Sequence, residues 1–122
     1  MWRARGMQPP MLIYKVLRSD EYAALRLAGE TRGAPVDVSD GYIHFSDATT
    51  LRGTLEKHFA GEDGLMLLAV EADTLGDDLK WEPSRGGALF PHLYRRLRMD
   101  DVAWSKPVAL VGGRHDLPED LA

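Results

Sequence analysis

The run Leu65 to Val70, Leu-Met-Leu-Leu-Ala-Val, constrains the fold of this chain more than any other stretch. It lacks polar alternation and is short for a helix. Glu62-Asp63-Gly64 before it and a polar loop with Gly76 after it mark turns, so it reads as a central strand covered on both faces. Such a strand needs apolar partners above, below and beside it. Leu12 to Leu17, apolar with Tyr14 and Lys15 inserted, fits a neighbouring strand. Ser19, Asp20 and Glu21 open a helix over about residues 20–28, with the Ser19 hydroxyl as cap and Gly29 as stop; Tyr22, Leu25 and Ala28 form its buried stripe. Leu51, Leu55, His58 and Phe59 recur at helical spacing over about 49–60, after a cap at Ser46 or Asp47 and before Gly61.

The connections carry the usual punctuation. Gly33-Ala34-Pro35 begins an irregular segment through Val36, Asp37, Val38 and Ser39. Leu79 to Trp81 is a short strand, Val102 to Trp104 and Val108 to Val111 are strands split by Pro107, and Gly112-Gly113 opens a polar C-terminal tail carrying His115. Together these predict one α+β domain over residues 11–122 with a bent, mainly antiparallel sheet. Met1 to Pro10 is expected to be a frayed, disordered extension, set apart by Pro9-Pro10.

Composition narrows the chemistry. At 122 residues the chain can bury one core without a metal or disulfide. It has no cysteine, which removes thiolate chemistry and fits a reducing, cytoplasmic setting. A net charge of −4 argues against a general binder of nucleic acid or anionic membranes, and no apolar run is long enough to span a bilayer. Arg95, Arg96 and Arg98 make a local basic run that reads as a solvated strand edge.

Reactive side chains concentrate in two strings. In Asp40-Gly41-Tyr42-Ile43-His44-Phe45-Ser46, a turn leads into alternation with period two. Ile43 and Phe45 then face the core, while Tyr42, His44 and Ser46 form a row of phenol, imidazole and hydroxyl groups suited to a polar ligand. Ser46 as a helix cap on a solvent-facing strand is the plainer alternative. The second string runs from Lys80 to Tyr94: Lys-Trp-Glu-Pro-Ser-Arg-Gly-Gly-Ala-Leu-Phe-Pro-His-Leu-Tyr. Gly86 and Gly87 expose backbone N–H groups, and Arg85 beside them is a forked donor for phosphate or carboxylate. An ordinary hairpin accounts for the same glycines. Glu82 is a candidate partner of Arg85, and His92 and Tyr94 are candidates for either site or core.

These two strings, with the Ile-Tyr-Lys strand, the Gly-Ala-Pro-Val-Asp segment and the Leu-Leu-Ala-Val-Glu strand, resemble a bacterial family, the domain of unknown function numbered nine-five-two, from about Leu12 to Leu110. The resemblance implies a fold like that of the ADP-ribosyltransferases, a split and bent sheet with flanking helices around a cleft for NAD. On that pattern His44 would anchor the adenosine-side ribose, Ser46 would support the site and Tyr94 would stack on nicotinamide. The late-strand glutamate of active transferases has no counterpart between Phe90 and Leu97; Glu82, before Pro83 at the start of a loop, is the candidate to stand in for it. The His-containing branch that includes the tRNA 2′-phosphotransferases is the more similar one, with Arg85 and His92 as chemical counterparts of its phosphate-holding groups.

Two functions follow as expectations. One is an enzyme using NAD or an ADP-ribosylated substrate, with His44, His92 and Glu82 catalytic and Tyr42, His44, Ser46, Arg85, Gly86, Gly87 and Tyr94 binding the nucleotide-like cofactor. The other is a non-catalytic module that binds a nucleotide or another phosphorylated small ligand. A histidine metal site is the weakest option, since neither His-x-His nor a helical His-x3-His is present.

Overall fold

The Leu65–Glu71 strand is the middle of a three-stranded antiparallel sheet in a computed structural model that describes residues 11–119 and 121. What was expected of Met1 to Pro10 lies outside those residues. In chain order the elements are β1 (Leu12–Leu17), α1 (Ser19–Ala28), β2 (Glu30–Thr31), α2 (Pro35–Asp40), β3 (Ile43–His44), α3 (Leu51–His58), β4 (Leu65–Glu71), β5 (Leu79–Pro83), β6 (Leu89–Leu93), β7 (Leu97–Arg98), β8 (Val102–Val108), β9 (Leu110–Val111) and β10 (Arg114–His115). Short 3₁₀ turns occupy Ala72–Asp78, Arg85–Gly87 and Met99–Asp101. No helix among the described residues is long and apolar enough to cross a membrane.

β4 pairs with β1 on one side and β8 on the other, and a second sheet has the order β3-β6-β5. Side chains alternate along β1 and β4, so the first sheet buries two different faces. Ile13, Leu17, Leu68 and Val70 pack with Leu25 of α1 and with Ile43, Phe45 and Leu93 of the second sheet. Tyr14, Val16, Leu65, Leu67 and Ala69 pack with Leu51 and Leu55 of α3 on the opposite face. This is the two-sided burial that the aliphatic run required.

The strand through residues 42–46 joins the two sheets. Ile43 and His44 pair with Leu93 and His92, the Phe45 N–H donates to the Pro91 carbonyl at 3.0 Å, and Ser46 then exchanges two backbone hydrogen bonds with Tyr14 of β1. A single extended segment therefore belongs to the second sheet at its start and to the first at its end.

Several local expectations need correction. The segment after Gly33 is not irregular: Pro35 occupies the first turn of α2, where its fixed φ and missing N–H cost nothing, and Gly41 ends the helix in the left-handed region at φ 88°. Ser19 is the first helical residue rather than the cap, and Glu21 instead accepts the Arg18 N–H at 2.8 Å. Ala28 is exposed, so only Leu25 of the expected stripe is fully buried. Neither Ser46 nor Asp47 caps α3: the cap is Thr50, and Asp47 instead heads the turn before it, accepting the N–H groups of Thr49 and Thr50 at 3.0 Å each. Pro107 does not split β8, because β8 lies at the edge of its sheet, where a missing N–H costs no ladder bond. Gly112 and Gly113 turn a hairpin, and His115 is buried with Nε2 2.8 Å from the Glu62 carbonyl.

Two arginines of the run after β6 are ion-paired. Arg95 forms a fork with Asp101 at 2.9 and 3.1 Å, and Arg96 pairs with Glu30.

Candidate functional site

β3 and β6 pair in a register that sets His44 opposite His92, so the two imidazoles stand on the same face with ring centroids 5.4 Å apart. Tyr42 shares that face. Its ring lies 4.3 Å from His92, 4.7 Å from His44 and 5.2 Å from Tyr94. Beside this row opens a cleft of 560 Å³, with His44, Ser46 and His92 on one wall and apolar groups including Val16, Pro35, Phe59 and Phe90 around it.

His44 is held by α2. The Asp37 carboxylate takes its Nδ1 at 2.6 Å and its backbone N–H at 3.0 Å, while Asp40 lies 3.0 Å from Nε2. Asp37 is 1% exposed and also accepts the Ala34 N–H at 2.7 Å and the Lys15 ammonium at 2.8 Å. Burial opposes its negative charge. The hydrogen bond from His44, the charge and hydrogen bond of Lys15 and the His44 N–H outweigh that and hold the carboxyl below the usual range. Lys15 enters from β1 on the face that carries Ile13 and Leu17, and it donates to the His44 carbonyl at 2.9 Å. Its amine is pushed down by burial, with Asp37 pulling the other way. The pair thus looks different from its two ends, an anion favoured and a cation penalised. Contact at 2.8 Å with a carboxylate that has three other donors supports the ion pair.

Gly33 makes that arrangement possible. Its φ is +96°, and a Cβ there would lie 2.2 Å from Asp37 Oδ2 and 2.8 Å from the Asp37 Cβ and Cγ. Gly33→Ala is therefore expected to lower folding stability by about 1–3 kcal/mol through left-handed strain alone, before the clash is relieved. Denaturant titration of this variant checks it; an unchanged midpoint would show that the α2 entry is not fixed as described.

His92 is 3% exposed. Its Nδ1 lies 2.8 Å from Glu82 Oε1, and the same oxygen accepts the Tyr94 hydroxyl at 2.6 Å. The Tyr94 bond, then the His92 bond, keep the Glu82 carboxyl below its ordinary range. In return the Tyr94 phenol is pushed up to about 12, chiefly by that carboxylate. Ultraviolet titration should find one phenol ionising near 12 in the parent and returning toward the ordinary 10.0 in Glu82→Gln. A parent with every phenol at the ordinary value would dissolve the Glu82–Tyr94 contact.

The other expected residues are placed as follows. Ser46 is buried on the cleft wall, its hydroxyl 2.7 Å from that of Thr54 on α3. Tyr94 is exposed and lines, with Tyr42, a separate 300 Å³ depression. Gly86 and Gly87 form the tip of the β5–β6 hairpin at φ 67° and 80°, and the Gly87 N–H donates to the Ser84 carbonyl at 2.8 Å. Neither glycine lines the cleft. The position of the Arg85 guanidinium lies outside what the structure describes. His58, read from the sequence only as a position on the helical stripe, is exposed on α3 and lines the cleft.

Four contributors were missed: Lys15, Arg18, Asp37 and Asp40. Arg18 is the cleft-lining guanidinium among the described residues, forked onto Glu62 at 2.8 and 3.0 Å and lying over the Phe59 ring. An acid three residues after Ala34, with Pro35 at the first helical position, was the available signal for Asp37, since the third helical position accepts the cap N–H. Among the described residues no group of three or more His, Asp or Glu takes an arrangement that could hold a metal ion.

The family described as "Protein of unknown function (DUF952)" matches residues 16–105, most of the chain. The chain belongs to the DUF952 family. A crystal structure of protein CC0527 from Caulobacter crescentus is similar at 46% identity and a TM-score of 0.83, covering 86% of this chain and 93% of that one. The solution structure of the same Caulobacter protein gives 46% identity and a TM-score of 0.77, with 85% and 90% covered. No curated protein matches. The DUF952 chain thus has a mixed α/β fold of mostly antiparallel sheets shared with that protein.

Proposed function

We propose that the 560 Å³ cleft binds an ADP-ribose-bearing nucleotide such as NAD, in an ADP-ribosyltransferase-like arrangement. The observation that carries this reading is the placement of His44, braced by Asp37 and Asp40, beside His92 along one polar wall of a cleft of ligand size. Asp40 is the replaceable partner. Its side chain is 43% exposed, so a ribose hydroxyl can take its place at His44 Nε2 while Asp37 keeps the ring oriented. Arg18 supplies a charge-assisted donor for a phosphate oxygen.

The binding-module version is favoured over rapid NAD cleavage by one feature. Breaking the nicotinamide–ribose bond develops oxocarbenium charge, which a carboxylate facing the sugar would stabilise. Glu82, the expected carboxylate, reaches the cleft only through His92 and does not itself line it, and Asp40, which does, is turned onto His44 Nε2. Slow hydrolysis is expected, with transfer reserved for an acceptor that brings its own nucleophile, such as a 2′-phosphate. A thermal-shift screen over NAD, ADP-ribose, ADP and inorganic phosphate tests the ligand class, because binding to the native state raises its melting temperature. Stabilisation by NAD and ADP-ribose supports the reading; a flat response to all four contradicts it.

A further inference from the structure

His92 Nε2 is the one buried side-chain nitrogen or oxygen among the described residues with no hydrogen-bond partner. The imidazole lines the cleft, its side chain is 4% exposed, and its other nitrogen is committed to Glu82. Which nitrogen carries the proton follows from that bond. A carboxylate can only accept, so Nδ1 donates and the neutral ring leaves Nε2 as a bare lone pair. Leaving such an acceptor buried and unmatched carries a desolvation penalty that a ligand donor would relieve. We propose that the Glu82–His92 pair is a hydroxyl-reading element, in which Glu82 fixes the tautomer and Nε2 accepts a hydrogen bond from a sugar hydroxyl of the bound ligand. The identity of the sugar as a ribose rests on the nucleotide reading above; the acceptor role does not.

This assigns His92 a selective part. A ligand that presents a donor at Nε2 matches the site, whereas one that presents an ether or carbonyl oxygen leaves two acceptors facing each other. His44 differs, because both its nitrogens already face carboxylates. The Tyr42 ring packs against the imidazole with centroids 4.3 Å apart, which fixes the plane of the His92 ring.

Long-range proton–nitrogen NMR of the His92 ring tests the idea in the full chain, first free and then titrated with NAD, ADP-ribose and free ribose. The expected result is a bare Nε2 in the free protein, with its resonance moving toward hydrogen-bonded values as the sugar is added. His92→Asn is the matching variant: its amide can still donate to Glu82 where Nδ1 did, yet it has nothing at the Nε2 position. It should keep the parent's melting temperature more closely than His92→Ala and bind NAD about tenfold more weakly. The deficit should vanish against the one NAD analogue lacking the hydroxyl that Nε2 reads. Three results overturn the proposal: a proton on Nε2 in the free protein, a resonance unmoved by saturating sugar as for a site filled by a structural water, or an equal deficit in His92→Asn against every deoxy analogue. Failure of NAD and ADP-ribose to bind would sink only the nucleotide reading, and the free-ribose titration would then decide this one.

Discussion

Replacing Asp37 by alanine should cost about 3–5 kcal/mol of folding stability, the usual effect of removing one partner from a buried ion pair. The carboxylate is 1% exposed and gathers four donors, from Ala34, Lys15 and the ring and backbone of His44. Its removal strands the Lys15 ammonium in the interior and frees the imidazole. The double variant Asp37→Ala/Lys15→Met should recover part of the loss, because it no longer buries an unmatched charge. Acid should mimic the single substitution. Since the folded-state pKa of Asp37 is depressed, its contribution is present above the ordinary carboxyl range and is lost as pH falls through the folded value. Denaturant midpoints of the two variants near neutrality and in acid provide the check. A single variant within experimental error of the parent would mean that Asp37 does not organise this corner.

Phe45→Ala is expected to be comparably severe, at about 3–5 kcal/mol for a large aromatic truncated in a packed core. Phe45 is 2% exposed and packs on the face shared by the two sheets. It also sits midway along the segment that leaves β6 for β1, where its N–H bonds Pro91 and the next residue bonds Tyr14. A cavity there loosens both pairings at once. The variant should therefore lose protection from hydrogen exchange at Phe45 and Ser46 before the centre of β4 does. Uniform loss along both sheets would argue against a separate joining role.

The parts of the fold that sequence made visible are those where one local rule acts alone. The aliphatic run of β4, the alternation around His44 and the Gly29 stop each follow from side-chain period or backbone freedom, and the structure contains each of them. What escaped depends on context. Pro107 breaks a strand only if its N–H is needed, and an edge position removes the need. Residues 35–40 look like a loop until Pro and Gly are recognised as the two ends of a helix. Lys15 looked like an intrusion into an apolar strand; only the arrival of Asp37 from α2 makes its burial tolerable.

The candidate site divides the same way. Tyr42, His44 and Ser46 share a face because strands alternate, and His92 joins them because β3 and β6 pair in that register. Asp40, Arg18 and the Glu82–His92–Tyr94 hydrogen bonds were not legible, since they arise between elements whose relative placement no local pattern encodes.

The most direct measurement of the central claim is an isothermal titration of ADP-ribose into the parent protein, His44→Ala and Arg114→Ala. Arg114 is exposed on β10 and does not line the cleft. A hydrogen bond from a charged or strongly polarised donor is worth about 1.5–3 kcal/mol when desolvated, so His44→Ala should bind at least tenfold more weakly while Arg114→Ala matches the parent. Saturable one-site binding with that ranking is the predicted result; absence of binding to the parent, or equal affinity in all three proteins, would contradict it.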